Sequence, residues 1–197
     1  GWDMPLSEYK RIGDWHVLFG VNLRCPHLSW YSMKGEAKRD YPASILSQNS
    51  WYRDWKPLED HFARVGMIMT EGTRKCDLLV IHPVENMWLR VHKGWVDGLS
   101  PAEEQVARMD AAFIEQCRQI IRSQHEFDYG DEELLKKYAR VEKDGQGALF
   151  VVGQARYRTL LVAEGQRVRP ETQALIEKFC AQGGKVVHRA SELPAAD

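Results

Sequence analysis

Asp77-Leu78-Leu79-Val80-Ile81-His82-Pro83 decides the fold. Four apolar residues stand in unbroken succession and a proline closes the run. A strand with one wet face would alternate instead. An uninterrupted run of this length belongs in the middle of a parallel sheet, where helices cover both faces. The sequence downstream supplies the other parts. Ser100-Pro101-Ala102-Glu103 has the form of a capping box with proline at the first helical position. The helix it would open carries Val106, Met109, Phe113, Cys117 and Ile120 along one side. A shorter helix is expected over about 131–138, and strands over Gly147 to Val152 and Tyr157 to Val162. Pro170 to Ala181 reads as a helix with Leu175, Ile176, Phe179 and Cys180 inward. Gly183-Gly184 ends it, and Lys185-Val186-Val187-His188 is a last strand. Strand, helix, Gly-Gly, strand is a βαβ unit. Residues 73–197 are therefore expected to form an α/β domain, an open and mainly parallel sheet flanked by helices.

Upstream the texture differs. Tyr9, Ile12, Trp15 and Phe19 fall at helical spacing over about 7–19, with Ser7 as a possible cap and Gly20 as the stop. Val21 to Cys25 reads as a short strand ended by Pro26. Pro57 opens a second helix with Leu58, Phe62, Val65 and Met69 on one face, and Gly72 ends it. Helix, strand, long loop, helix resembles the last turn of a repeated α/β unit, and alone it is too small to bury a sizeable core. The chain begins Gly1-Trp2-Asp3-Met4-Pro5 without an initiator methionine, so it reads as a piece of a longer protein.

The chemistry is concentrated in the loop from His27 to Pro42, which holds a histidine, serines, aromatic rings, bases and acids. Flat rings interleaved with hydrogen-bonding groups suit a sugar, which has hydroxyls at its edge and C–H groups on its face. His27, Trp30, Tyr31, Ser32, Lys38, Arg39 and Asp40 are the candidate sugar-binding residues. A structural loop, with Trp30 in a core and Arg39 paired to an acid, reads equally well. Trp51, Tyr52 and Trp55 either extend an aromatic wall or simply pack.

Composition narrows the field. Hydrophobic residues make up 44% and charged residues 28%, with net charge −1, so nothing draws nucleic acid or an anionic membrane. No apolar run reaches the roughly 18–20 residues of a membrane helix, and no signal peptide is read at the start. Cys25, Cys76, Cys117 and Cys180 lack metal-ligand spacing and read as reduced, mostly buried thiols, which favours a cytoplasmic setting. No cofactor and no metal are expected. After Ile81 no glycine-rich turn offers a phosphate cradle. No G-x-S-x-G or G-x-C-x-G frame can hold a nucleophile on an elbow. His82, at a strand end, reads as a hydrogen-bonded structural group. Glu36 and Asp40 are acids without an evident second carboxylate at glycosidase spacing, so no acid/base pair is assigned.

Several motifs carry a resemblance to a known family. They are Gly20-Val21-Asn22, Pro26-His27-Leu28-x-Trp30-Tyr31-Ser32-Met33-x-Gly35, Lys38-Arg39-Asp40-Tyr41-Pro42, the Trp51 segment and a helix with Arg64. Cys76 to Pro83, Tyr157 to Val162, Thr172, Leu175, Phe179 and Gly183 to Val187 extend it. Together they resemble the C-terminal end of a bacterial glycoside hydrolase of the family 106 α-L-rhamnosidase type, and more loosely family 2 and family 42 β-galactosidases. The resemblance implies that residues 1–72 are a C-terminal fragment of a (β/α)8 catalytic barrel, with His27 and its loop on the active-site rim. It also implies that 73–197 are a non-catalytic accessory domain, flavodoxin-like or class I glutamine-amidotransferase-like. In family 42 a domain of that type helps trimer formation. The family's acid and base would stand on earlier strands, so no position here inherits them. Leu161-Val162-Ala163-Glu164 departs from the proline-containing strand end of the family, and no ligand role is carried there.

The leading expectation is thus a segment of a sugar-cleaving enzyme that meets carbohydrate only through the parent protein and is inactive alone. A second is an oligomerisation or interaction module, with Trp88 and Trp95 on its docking face, forming a homo-oligomer or packing on the missing barrel. A third is a flavodoxin-like protein that binds a small molecule.

Overall fold

β1, Leu78–Ile81, is buried at all four positions, as a strand covered on both faces must be. The computed structural model describes residues 4–25, 32–36, 47–98 and 100–194, and the chain divides into two units, Gly1–Arg74 and Lys75–Asp197.

In the second unit, β1 is followed by α3 (Val84–Trp88), a two-residue hairpin of β2 (Val96–Asp97) and β3 (Ser100–Pro101), and α4 (Glu104–Arg122). Then come β4 (Phe127–Gly130), α5 (Glu132–Tyr138), β5 (Ala139–Asp144), β6 (Gly147–Val152), β7 (Ala155–Tyr157), β8 (Thr159–Leu161), α6 (Pro170–Ala181) and β9 (Lys185–Val187). The main sheet has the order β4-β1-β8-β9, and every neighbouring pair is parallel. Taken in chain order, its strands lie second-first-third-fourth, the doubly wound order of flavodoxin-like sheets. The expected open, mainly parallel α/β sheet is what the chain forms.

Alternation along β1 splits the core in two. Leu79 and Ile81 join Leu160, Leu135 of α5, and Ile176 and Phe179 of α6. The same cluster takes Val141, Ala148, Phe150 and Tyr157 from a three-stranded antiparallel sheet, β5-β6-β7. Leu78 and Val80 face the other way, with Leu161, Val187, Ala190 and Ile120 of α4. Each leucine, isoleucine, valine or phenylalanine among them contributes about 1.5–3 kcal/mol on burial.

Local expectations fail where a neighbour outweighs a local signal. The capping box at Ser100 is not used. Ser100 and Pro101 pair with Asp97 and Val96, and α4 begins at Glu104 with no side-chain cap. Tyr157 to Val162 is not one strand. The chain leaves the antiparallel sheet after Tyr157 and enters the parallel one at Thr159, with the N–H groups of Arg158 and Thr159 both donating to the Asp77 carbonyl, at 2.8 and 3.0 Å. Cys180 is exposed, not inward, as is Cys25, while Cys76 and Cys117 are half-buried.

In the first unit, α1 (Leu6–Leu18) follows Pro5, so Ser7 lies inside the helix and does not cap it. α2 spans Lys56–Thr70 with proline in its first turn. Their core is Trp55, Leu58 and Phe62, with Leu6, Tyr9 and Val17 against it. Of the residues at helical spacing on this segment, Ile12, Trp15 and Phe19 are exposed. Gly13 is the buried position of that helix. Val21 to Cys25 is not a strand. Those residues are ladder-free and Val21, Asn22, Leu23 and Cys25 are exposed, because a strand exists only beside a partner strand and the described residues of this unit contain none.

Candidate functional site

Ligands of doubly wound sheets sit beyond the carboxyl ends of the strands, where the strand order reverses. Here that point lies between β1 and β8, and the chain's own side chains fill it. Gln166, from the loop after β8, donates from Nε2 to the Ile81 carbonyl at 3.2 Å and accepts from the Ala163 N–H at 3.1 Å. Asn86 of α3 donates to the Arg167 carbonyl at 2.9 Å and accepts from its N–H at 3.1 Å. The Arg169 guanidinium bonds the Glu85 carboxylate at 2.8 Å and also that of Glu133. These carboxylates, Glu85 first, raise its pKa further above the ordinary arginine value.

Glu132 lies beneath. It is 2% exposed, and its Oε2 accepts from the Arg169 N–H at 2.7 Å. That N–H precedes α6, so a carboxylate from α5 serves the positive end of another helix. Among the described residues its Oε1 and the Thr172 hydroxyl oxygen are buried without a partner. Gln166, Asn86 and Arg169 at this crevice are thus engaged with other groups of the chain.

An open space remains to one side of the crevice, against α4. His82 forms its floor, with Met87, Met109, Asp110 and Phe113 around a volume of about 190 Å³. The Val84 N–H donates to His82 Nδ1 at 3.2 Å, so the neutral ring carries its proton on Nε2. Phe113 and Tyr129 meet the imidazole edge-on, at 5.3 and 5.2 Å between centroids. Burial lowers the His82 pKa, and the Asp131 carboxylate opposes that only in part. Burial first, then a hydrogen bond with Cys117, raises that of Tyr129.

A pH dependence follows with a definite sign. The unfolded chain binds a proton at His82 near pH 6.5 while the folded ring resists it. This contribution is intact above about pH 6.5 and is lost as the pH falls below it. Melting at pH 7.5 and 5.5 should show a smaller acid loss for His82→Gln than for the parent chain. Equal losses would mean that His82 senses no burial.

Of the loop residues expected to touch sugar, His27, Trp30, Tyr31, Lys38, Arg39 and Asp40 lie outside the described residues. Ser32 is exposed, and its hydroxyl accepts from the Lys34 N–H at 3.1 Å, a local turn contact. Glu36 is exposed. The aromatic trio divides. Trp55 is a core residue, edge-on to Tyr9 at 4.8 Å with its indole N–H on Glu59 at 2.9 Å, while Trp51 and Tyr52 are exposed. Nearby, the Arg24 guanidinium lies 3.8 Å from the centre of the Phe62 ring and 3.3 Å from Glu59, on the wall of a cavity of about 280 Å³.

Sequence reasoning noticed His82 but read it as a structural group, and it missed Glu132, Gln166 and Arg169. A signal for Glu132 was present. Asp131 starts α5 by accepting from the N–H groups of Glu133 and Leu134, which turns the next residue inward. Among the described residues no three His, Cys, Asp or Glu side chains gather as a metal site, and no helix is long and apolar enough to cross a membrane.

No family model matches the chain. It is 25% identical over 192 residues to a "Putative beta-glucuronidase" of Formosa agariphila, a match that covers 95% of this chain. The chain spans only 14% of the length of that protein. The similarity is weak, and it relates this chain to a segment of a glycoside hydrolase.

Proposed function

We propose that this chain is the C-terminal part of a glycoside hydrolase of the α-L-rhamnosidase type. In this reading residues 1–72 belong to the catalytic barrel domain, and 73–197 are an accessory domain that does no chemistry. The observation that carries the reading is the surface of the first unit. Leu18 is 72% exposed, Leu23 83%, Met67 62% and Ile68 65%, together with Trp15 and Phe19. Isolated domains seldom leave so much apolar surface in water, and such surface marks an interface. The match to a small fraction of a glycosidase supports the same reading. His27, Trp30, Tyr31, Ser32, Lys38, Arg39 and Asp40 then position a sugar at the rim. The catalytic acid and base lie elsewhere in the parent. The name of the Formosa relative adds a second substrate class, an anionic uronide, whose carboxylate Lys38 and Arg39 suit by charge.

The test compares this chain with the polypeptide encoded by its surrounding reading frame, using aryl α-L-rhamnoside and aryl β-D-glucuronide. The long form should hydrolyse one of them and the chain alone neither. Turnover by the chain alone, abolished by Glu36→Gln or Asp40→Asn, would overturn the proposal.

A second reading, an interaction module, rests on the segment after β1, where Trp88, Leu89 and Val91 are exposed. Light scattering decides it. A monomer at every concentration tested removes self-association.

A further inference from the structure

We propose that the pocket beside His82 binds a small organic cation with an apolar body, such as an arylalkyl ammonium compound. The walls are Pro83, Val84, Met87, Met109 and Phe113. These are polarisable or aromatic groups that suit a ring or alkyl chain. The volume, about 190 Å³, is enough for one ring, since cavities of about 150 Å³ accept benzene. The one charged side chain in the lining is Asp110, an exposed carboxylate at the mouth that forms no ion pair or hydrogen bond among the described residues. Among the described residues no lysine or arginine lines the pocket.

His82 adds no opposing charge, because burial keeps the ring neutral. The Asp131 carboxylate acts on the same imidazole from the start of α5. An ammonium group at the mouth would meet Asp110, and its apolar body would meet Phe113 and the two methionines. The position follows from the fold. Gln166, Asn86 and Arg169 plug the switch point itself, and the remaining space at the carboxyl end of β1 opens toward α4. This site is independent of the glycosidase reading, and its success or failure leaves that reading as it stands.

The chain labelled with 13C at its methionine methyls is titrated at pH 7.5 with benzylamine, and in parallel with neutral benzyl alcohol and anionic benzoate. Benzylamine should shift the Met87 and Met109 methyls saturably, and leave Met67 and Met69 of the other unit unmoved. Binding should weaken about threefold to fivefold in Asp110→Asn, the scale of an exposed ion pair. Benzyl alcohol should bind the parent chain more weakly by a similar factor, and benzoate more weakly still. Three results overturn the proposal. They are no shift with benzylamine up to about 10 mM, a concentration that already corresponds to very weak binding, equal affinity for all three probes, and an Asp110→Asn variant that binds benzylamine as the parent does.

Discussion

Phe179→Ala should destabilise residues 75–197 by about 4 kcal/mol, a large share of a typical domain's stability. The side chain is fully buried on α6 and meets Phe150 of the antiparallel sheet edge-on at 5.7 Å. It thereby ties the helix between β8 and β9 to the second sheet, and truncation leaves a cavity where three layers meet. The glycine after α6 gives an independent check. A Cβ on Gly184 would lie 2.5 Å from the Phe179 ring, so Gly184→Ala alone should cost about 1–3 kcal/mol through overpacking. In the double variant the space left by the lost ring accepts the new methyl. The combined loss should therefore fall short of the two single losses together. Denaturant unfolding followed through amide signals of β1 and β8 reads all three. Strict additivity would mean that Gly184 and Phe179 do not touch.

Much of the parallel sheet was legible because its signals are local and strong. The run Leu78–Ile81 and the helix over Pro170–Ala181 coincide with observed elements. β4 and β5 were missed. Phe127-Asp128-Tyr129-Gly130 mixes half-buried and exposed positions with an acid and a glycine, and only pairing with β1 makes it a strand. Ala139 to Asp144 has charges at four of six positions, and its extended form comes from β6 across the hairpin. The break at Arg158 is a choice between two sheets. Nothing in the apolar spacing of 157–162 announces it.

The site was less legible, for a related reason. His82 stands next to the apolar run and was noticed there, but it was read as a structural group. The plug at the switch point joins residues about 80 apart in sequence, such as Asn86 with Arg167 and Glu85 with Arg169. Each is an ordinary polar side chain on its own. On α1 the spacing of Tyr9, Ile12, Trp15 and Phe19 was read correctly as helical, but spacing alone does not say which face is buried. The structure turns Gly13 inward, because a glycine lets the Phe62 ring approach the helix axis.

That approach sets the largest effect expected in the first unit. A Cβ on Gly13 would lie 2.1 Å from Phe62 Cζ and 2.6 Å from Cε1. Glycine to alanine within a helix ordinarily stabilises by about 1 kcal/mol. Here the clash outweighs that gain, and Gly13→Ala should destabilise residues 1–74 by about 1–3 kcal/mol. The core has three buried apolar side chains, Trp55, Leu58 and Phe62, and displacing one disturbs the other two. Arg24 should move as well, since its guanidinium lies on the displaced ring. The indole N–H of Trp55, held by Glu59, is the probe. Its signal should broaden or shift in Gly13→Ala, and return in part in Gly13→Ala/Phe62→Leu, where the smaller side chain makes room. If Gly13→Ala proves as stable as the parent, the Phe62 ring is not against α1. The exposed apolar surface of this unit would then lose its meaning as the outer side of a thin helical pair, and the proposal that residues 1–72 pack onto a catalytic domain would lose its main support.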